Sequence, residues 1–300
     1  MTEISATTRI CAVYGHPVKH SASPALQNAG IDALGLDWRY LAFDVHPDTL
    51  RQAINGAKAM RFVGVNLTVP HKLLAVDIVD HVEERSRLWG AVNTVRFEGR
   101  VDDIWQPLAR LPMDVECEIR SVGFNTDADA IVQALREDLE FNLLGASVLL
   151  IGAGGAGRTA ALRIAREIPG ELWLANRTTS KAVAIAGEIR AAQPNLNVKV
   201  GYPKGKVDLV INATSLGLKE SDPLPMQGSG FSLAQAATAY DMIYRPAETK
   251  FLKSAREAGC RTANGAGMLL YQGAKALEIW SGETAPVATM RAALKKHLYG

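Results

Sequence analysis

Short apolar runs alternate with longer amphipathic stretches along this chain. Residues 9–14, 38–45 and 62–67 are compact apolar runs bounded by turn formers, the pattern of buried strands. Residues 24–34 and 47–60, lying between them, read as helices. The first has Ser23 as N-cap and Pro24 at the first helical position, where a missing N–H costs nothing. Pro70 forces a turn before a further helix starting near His71. Residues 99–121 break the alternation with Pro107, Pro112 and scattered charges, and read as an extended excursion or hairpin at a domain edge. Beyond Gly145 the pattern sharpens: strands at 147–151, 171–175, 207–211, 240–243 and 261–263, and helices at 156–168, 180–192, 268–280 and 286–298. Strands alternating with helices predict an α/β fold with a mainly parallel sheet. No internal repeat or low-complexity tract interrupts it.

Composition narrows the class. A chain of 300 residues accommodates two ordinary domains, each with its own core. Hydrophobic content of 48% and charged content of 21% are those of a soluble globular protein. A net charge of +2 gives no reason to expect a nucleic-acid or membrane partner. The first nine residues are polar and lack an apolar signal region, and no apolar run approaches the ~20 residues that span a bilayer, so a cytoplasmic location is expected. Cys11, Cys117 and Cys260 are widely separated and the six histidines do not cluster, so neither disulfide nor metal is expected.

Chemistry enters at Gly152-Ala153-Gly154-Gly155-Ala156-Gly157, which matches G-x-G-x-x-G between an apolar strand and a helix. Side chains at the glycines would hold the backbone away from a pyrophosphate, and the helix N-terminus offers it free N–H groups. A purely structural glycine turn is the other reading. The next strand ends Leu174-Ala175-Asn176-Arg177-Thr178, with Lys181 close behind. An NAD site usually carries a carboxylate there; here Arg177, Thr178 and Lys181 can meet a 2′-phosphate instead, so NADP is the expected cofactor. The same cations could also simply solvate a helix start.

The substrate side is read from polar residues at strand ends and helix starts: Ser21, Ser23, Asn66, Thr68 and Asn93, with Tyr244 ending a strand and Gln272 inside an apolar helix. Hydroxyls, amides and one lysine suit a small polyhydroxylated acid. Lys72 and Asp127 are the candidate catalytic pair, since a lysine beside an aspartate can pass a proton to a substrate oxygen. Alone, Lys72 reads as well as a solvated helix lysine, and Asp127 as an N-cap.

Taken in order, these motifs resemble the shikimate dehydrogenase family over nearly the whole chain. Gly15 to Pro24 matches G-x-P-x-x-H-S-x-S-P, Asn66 to Lys72 matches N-x-T-x-P-x-K, Ala91 to Thr94 matches A-V-N-T, and Asn125 to Asp127 matches N-T-D. Asn212 to Ser215, Asp241 to Tyr244 and Gly267 to Gln272 match later motifs. The resemblance implies reversible NADPH-dependent reduction of 3-dehydroshikimate to shikimate in aromatic amino-acid biosynthesis. It implies that Ser21 and Ser23 bind the substrate carboxylate and that Asn66, Thr68, Asn93, Asp127 and Gln272 hold ring hydroxyls. Lys72 is implied as acid/base paired with Asp127, and Tyr244 as a placing residue. Thr214, Ser215, Met242 and Gly265 join the implied cofactor site. A substrate domain of residues 1–125 plus 265–300 and a Rossmann domain of 126–264 are implied, in a monomer or homodimer. A quinate- or aminoshikimate-active member is the nearest alternative, and a non-catalytic NADP-binding regulator a more distant one. Two departures stand out: a long stretch between Thr94 and Asn125, and Phe124 and Ala128 where the family writes G-D-N-T-D-G.

Overall fold

A computed structural model describes residues 3–300. The described chain divides into two compact units, residues 3–126 with 270–300, and residues 127–269.

In the first unit, β1 (Arg9–Gly15) leads to α1 (Ser23–Ala33), β2 (Trp38–Asp44), α2 (Leu50–Ala59) and β3 (Gly64–Leu67). The expected helix over 47–60 opens with one 3-10 turn at Pro47–Thr49. Next come α3 (His71–Leu74), β4 (His81–Val82), α4 (Glu84–Arg87), β5 (Thr94–Val101), β6 (Ile104–Pro107) and β7 (Glu118–Phe124). The strand order is β2-β1-β3-β5-β7-β4, with β6 paired to β5. Pairing is parallel where helices connect the strands, β1 with β2 and β3, and antiparallel where β5 meets β3, β6 and β7. The excursion is therefore part of the sheet: a hairpin turning at Asp102 and Asp103, both with positive φ (50° and 63°), and a return strand.

One expectation fails at α1. The N-cap is Ala22, and Ser23 is already helical with no side-chain cap bond. Ser23 is instead buried within the first turn of the helix.

The second unit holds α5 (Asp127–Leu139), β8 (Ser147–Ile151), α6 (Gly155–Ala165), β9 (Glu171–Ala175), α7 (Thr179–Ala192), β10 (Val198–Val200), β11 (Val207–Asn212), β12 (Ala236–Asp241), α8 (Lys250–Glu257) and β13 (Arg261–Asn264). Its six strands, ordered β10-β9-β8-β11-β12-β13, are all parallel. Their near-continuous apolar runs suit a sheet covered on both faces. α9 (Ala266–Ser281) starts in this unit and continues in the first, where α10 (Val287–Tyr299) ends the chain. Trp280, fully buried, pins α9 to the first sheet: its indole N–H donates to the Val95 carbonyl at 3.0 Å. Its ring lies where any side chain on Gly64 would project.

Among the described residues no helix is long and apolar enough to cross a membrane, and no group of three or more His, Cys, Asp or Glu is set to hold a metal ion.

Candidate active site

Three polar motifs, distant in sequence, converge at the strand ends of the first unit because of its register. Asn66 on β3 pairs with Thr94 on β5, which pairs with Phe124 on β7. Cross-strand partners share a face, so the three side chains form one row. Leu67 donates its N–H to Asn93 (2.8 Å), Val92 to the carbonyl of Lys72 (2.8 Å), and Asn93 to Phe124 (3.0 Å). These bonds tie the Asn66–Lys72 stretch to Ala91–Thr94, and that in turn to Phe124 at the end of β7.

The amides are heavily committed to one another. Asn66 Oδ1 accepts from the Tyr40 phenol at 2.7 Å, and Asn66 Nδ2 donates to Thr94 Oγ1 at 3.0 Å and to the Asn93 carbonyl at 3.3 Å. Asn93 Oδ1 accepts the Thr126 N–H at 2.8 Å, and Asn93 Nδ2 donates to Thr126 Oγ1 at 3.0 Å. Asn66, Asn93, Thr94 and Thr126 are all buried. Such satisfaction is what makes buried polar groups tolerable. Burial holds the Tyr40 phenol well above its ordinary value, so it stays a donor. Tyr40, which no motif contains, and Thr94 and Thr126, which the motifs contain without a role, are thus members of the polar row. The alternation of β2, with Trp38 and Tyr40 inward, is the signal that a buried phenol needs a partner.

Lys72 is half-buried in α3, directly after His71, which burial keeps below its usual value and hence neutral. Thr68 is half-buried and donates its N–H to the Tyr14 carbonyl at 2.9 Å. Ser21 and Ser23 lie at the start of α1, where the Ser23 N–H reaches Ser21 Oγ at 3.3 Å. Gln272 is half-buried on α9, and α1 grips that helix one residue later through Gln27 Nε2 on the Gly273 carbonyl, at 2.9 Å. Of the departures, Phe124 packs its ring under the Arg96 guanidinium at 5.0 Å, a cation–π contact at the end of the polar row.

In the second unit, Asp127 is the buried first residue of α5, with Ala128, also buried, behind it. Tyr244 lies three residues past the end of β12, which stops at Asp241, so it sits in the following turn and not on the strand.

The glycine loop there explains itself glycine by glycine. Gly152 has φ +119°, and a Cβ on it would sit 2.7 Å from the Ala213 carbonyl carbon. A Cβ on Gly157 would run into the Gly152 carbonyl, so this glycine permits the close helix–strand approach. Gly154, the α6 N-cap, has nothing of the protein within 4 Å of a Cβ, which leaves its backbone open to a ligand. α6 begins at Gly155, one residue earlier than expected, and Ala156 lies within it. The Ala153 N–H is held by Asn176 Oδ1 at 3.0 Å, and Asn176 Nδ2 donates to the Thr178 carbonyl at 2.9 Å. Arg177, Thr178 and Lys181 are exposed at the N-terminus of α7, which has no acidic residue in its first turn. Cations at the positive end of a helix are unfavourable unless an anion joins them.

A frame the motifs only hinted at holds the adjoining turn. Asn212 Oδ1 accepts the Thr214 N–H (3.0 Å) and hydroxyl (2.7 Å), and Asn212 Nδ2 donates to Asp241 Oδ1 (3.0 Å). Asp241 also accepts from the Thr249 hydroxyl (2.6 Å) and the Ile243 N–H (3.0 Å). Burial outweighs these donors and pushes its carboxyl up to about 6. Ser215 and the half-buried Met242 follow these two anchors directly in the chain. Gly265 is pressed against the Met242 backbone, where a side chain would not fit.

Comparison with known proteins agrees with this geometry. Residues 13–95 match the model of the shikimate dehydrogenase substrate binding domain, and residues 265–295 that of the shikimate 5'-dehydrogenase C-terminal domain. The shikimate dehydrogenase (NADP(+)) of Desulforamulus reducens is 39% identical over 98% of this chain and 97% of its own. Shikimate 5-dehydrogenase of Thermus thermophilus, solved with NADP(H) and shikimate, superposes with a TM-score of 0.76 at 33% identity, covering 96% of this chain and 99% of that one. The 5-ketofructose reductase of a Gluconobacter strain superposes with a TM-score of 0.77 at 31% identity, covering 98% and 100%. On whole-length similarity of this kind the chain belongs to the shikimate dehydrogenase family.

Proposed function

We propose that this protein is an NADP-dependent oxidoreductase that interconverts 3-dehydroshikimate and shikimate, as a step of aromatic amino-acid biosynthesis. The observation that carries the reading is whole-length likeness to NADP+ shikimate dehydrogenases in a chain that keeps each polar motif of both units. NADP, when bound, supplies the hydride. Gly152 to Gly157 and the α6 N-terminus are assigned to its pyrophosphate. Asn176, Arg177, Thr178 and Lys181 are assigned to the 2′-phosphate end, where a guanidinium meets phosphate bidentately. Thr214, Ser215, Met242 and Gly265 complete that side.

On the substrate side, Ser21 and Ser23 are assigned to the carboxylate, and Asn66, Thr68, Asn93, Gln272 and Tyr244 to the ring. Asn66 and Asn93 already bond one another's neighbourhood, so their role is as much to hold the row rigid as to touch ligand. Lys72 is assigned as the acid that protonates the carbonyl oxygen as hydride arrives, and as the base in the reverse direction. Asp127 is assigned as the carboxylate of the catalytic set. Residues 1–125 with 265–300 are proposed as the substrate domain, and 126–264 as the nucleotide domain.

A second reading has its own support. A relative at 31% identity is a 5-ketofructose reductase, so the family scaffold serves more than one polyhydroxylated ketone. Absorbance of reduced nicotinamide separates the two, using NADP+ or NAD+ with shikimate or quinate, and NADPH with 5-ketofructose. Fast turnover with NADP+ and shikimate alone is expected. Turnover mainly with quinate, NAD+ or 5-ketofructose would overturn the assignment.

A further inference from the structure

We propose that His16 and Asp44 clamp the loop before α1, and so act as positioning residues for the carboxylate-binding hydroxyls of Ser21 and Ser23. The inference rests on the assignment of those serines to the substrate carboxylate.

The loop runs from the end of β1 to the start of α1, residues 16–22. On one side it is tied by the His16 N–H to the Val69 carbonyl at 3.1 Å, and internally by the Ser21 N–H to Val18 at 2.9 Å. On the other side stands Asp44, the last residue of β2 and the register partner of Gly15. Its carboxylate meets the loop at His16, whose Nδ1 lies 2.6 Å from Asp44 Oδ1. That bond, foremost, holds the Asp44 carboxyl below its ordinary value. The far face of the His16 ring meets His46 edge-on, with centroids 5.1 Å apart. The imidazole is thus fixed between a carboxylate and a second ring, at the root of a loop in which Val18 and Ala22 are buried while Pro17, Lys19 and His20 face solvent.

The clamp makes the pair matter to an anionic ligand because it keeps the loop from swinging, so the serine hydroxyls need not be ordered when ligand arrives. Global stability gains little, because both side chains are close to half exposed (45% and 42%).

The test uses the full chain carrying His16→Ala, His16→Asn or Ser21→Ala. It reads kcat, the Michaelis constants for shikimate and NADP+, and the thermal midpoint. An exposed pair of this kind corresponds to roughly a two- to five-fold change. His16→Ala is expected to raise the shikimate KM by that factor, leaving the NADP+ KM, kcat and midpoint near wild type. His16→Asn, whose amide N–H can take the place of Nδ1, is expected to restore it. An unchanged shikimate KM in His16→Ala, with a raised one in Ser21→Ala, overturns the clamp alone. Equal defects in the Ala and Asn variants also overturn it, since the ring and not the hydrogen bond would then matter. A normal shikimate KM in Ser21→Ala removes the carboxylate assignment, and the clamp with it.

Discussion

Replacing Asp241 by asparagine tests the polar frame under the nucleotide unit. Asp241 ends β12 with no solvent exposure, and burial lifts its carboxyl from 3.8 to about 6 despite three donors. The ionised form is therefore the disfavoured one in the folded state. The folded protein binds this proton more tightly than the unfolded chain, so the group's contribution to stability is greatest in acid. It declines as pH rises from the unfolded to the folded value, then stays low. A gap of about two pH units corresponds to ~3 kcal/mol. Asparagine does not titrate, and its oxygen can keep the Ile243 and Asn212 bonds while its NH2 faces the Thr249 hydroxyl in the acceptor sense. Subtracting the variant's stability from that of wild type removes every other titration. That difference, from urea unfolding of both proteins at a series of pH values, should fall by ~3 kcal/mol between about pH 4 and pH 7. A difference that stays flat across the range would refute the reasoning, because the carboxyl would then titrate alike in both states. A difference that grows with pH would mean that the donors outweigh burial.

Three further outcomes follow from the sites. Lys72→Ala should lower kcat by roughly 10²–10⁴, with little change in either Michaelis constant; near-normal turnover would remove the acid/base role. Arg177→Ala should weaken NADPH by roughly ten- to a hundred-fold, as loss of a charge-assisted bond does, while barely touching NADH. Equal losses for the two nucleotides, measured by fluorescence titration, would remove the phosphate assignment. Gly154→Ala and Gly157→Ala should part company: the first adds a Cβ into open space and should weaken NADPH with an unchanged midpoint. The second drives a Cβ into the Gly152 carbonyl and should cost ~1–3 kcal/mol of stability. Similar thermal midpoints for the two variants would contradict the division of roles among the glycines.

The cofactor loop was legible in the sequence because everything that makes it is local: an apolar strand, a left-handed glycine and a helix start within a dozen residues. The region after Thr94 was not, because its structure comes from pairing across long separations. β5 lies antiparallel between β3 and β7, and its hairpin turns on two aspartates that take positive φ without the Asn-Gly signal. β4 and α4 span two and four residues, too few to show any period. At Ser23 the local rule was overridden. A serine before proline favours capping, but Ser23 is buried inside the first turn, and the helix began one residue earlier. The polar row of the first unit shows the same limit from the other side. Motifs pointed to Asn66 and Asn93, yet only the register reveals that Thr94, Thr126 and Tyr40 consume most of their hydrogen-bonding capacity. A polar residue at a strand end is selected as readily by its neighbours as by a ligand, and spacing along the chain cannot separate the two demands. What separates them is whether donors and acceptors are already spoken for, which is a property of the sheet and not of the motif.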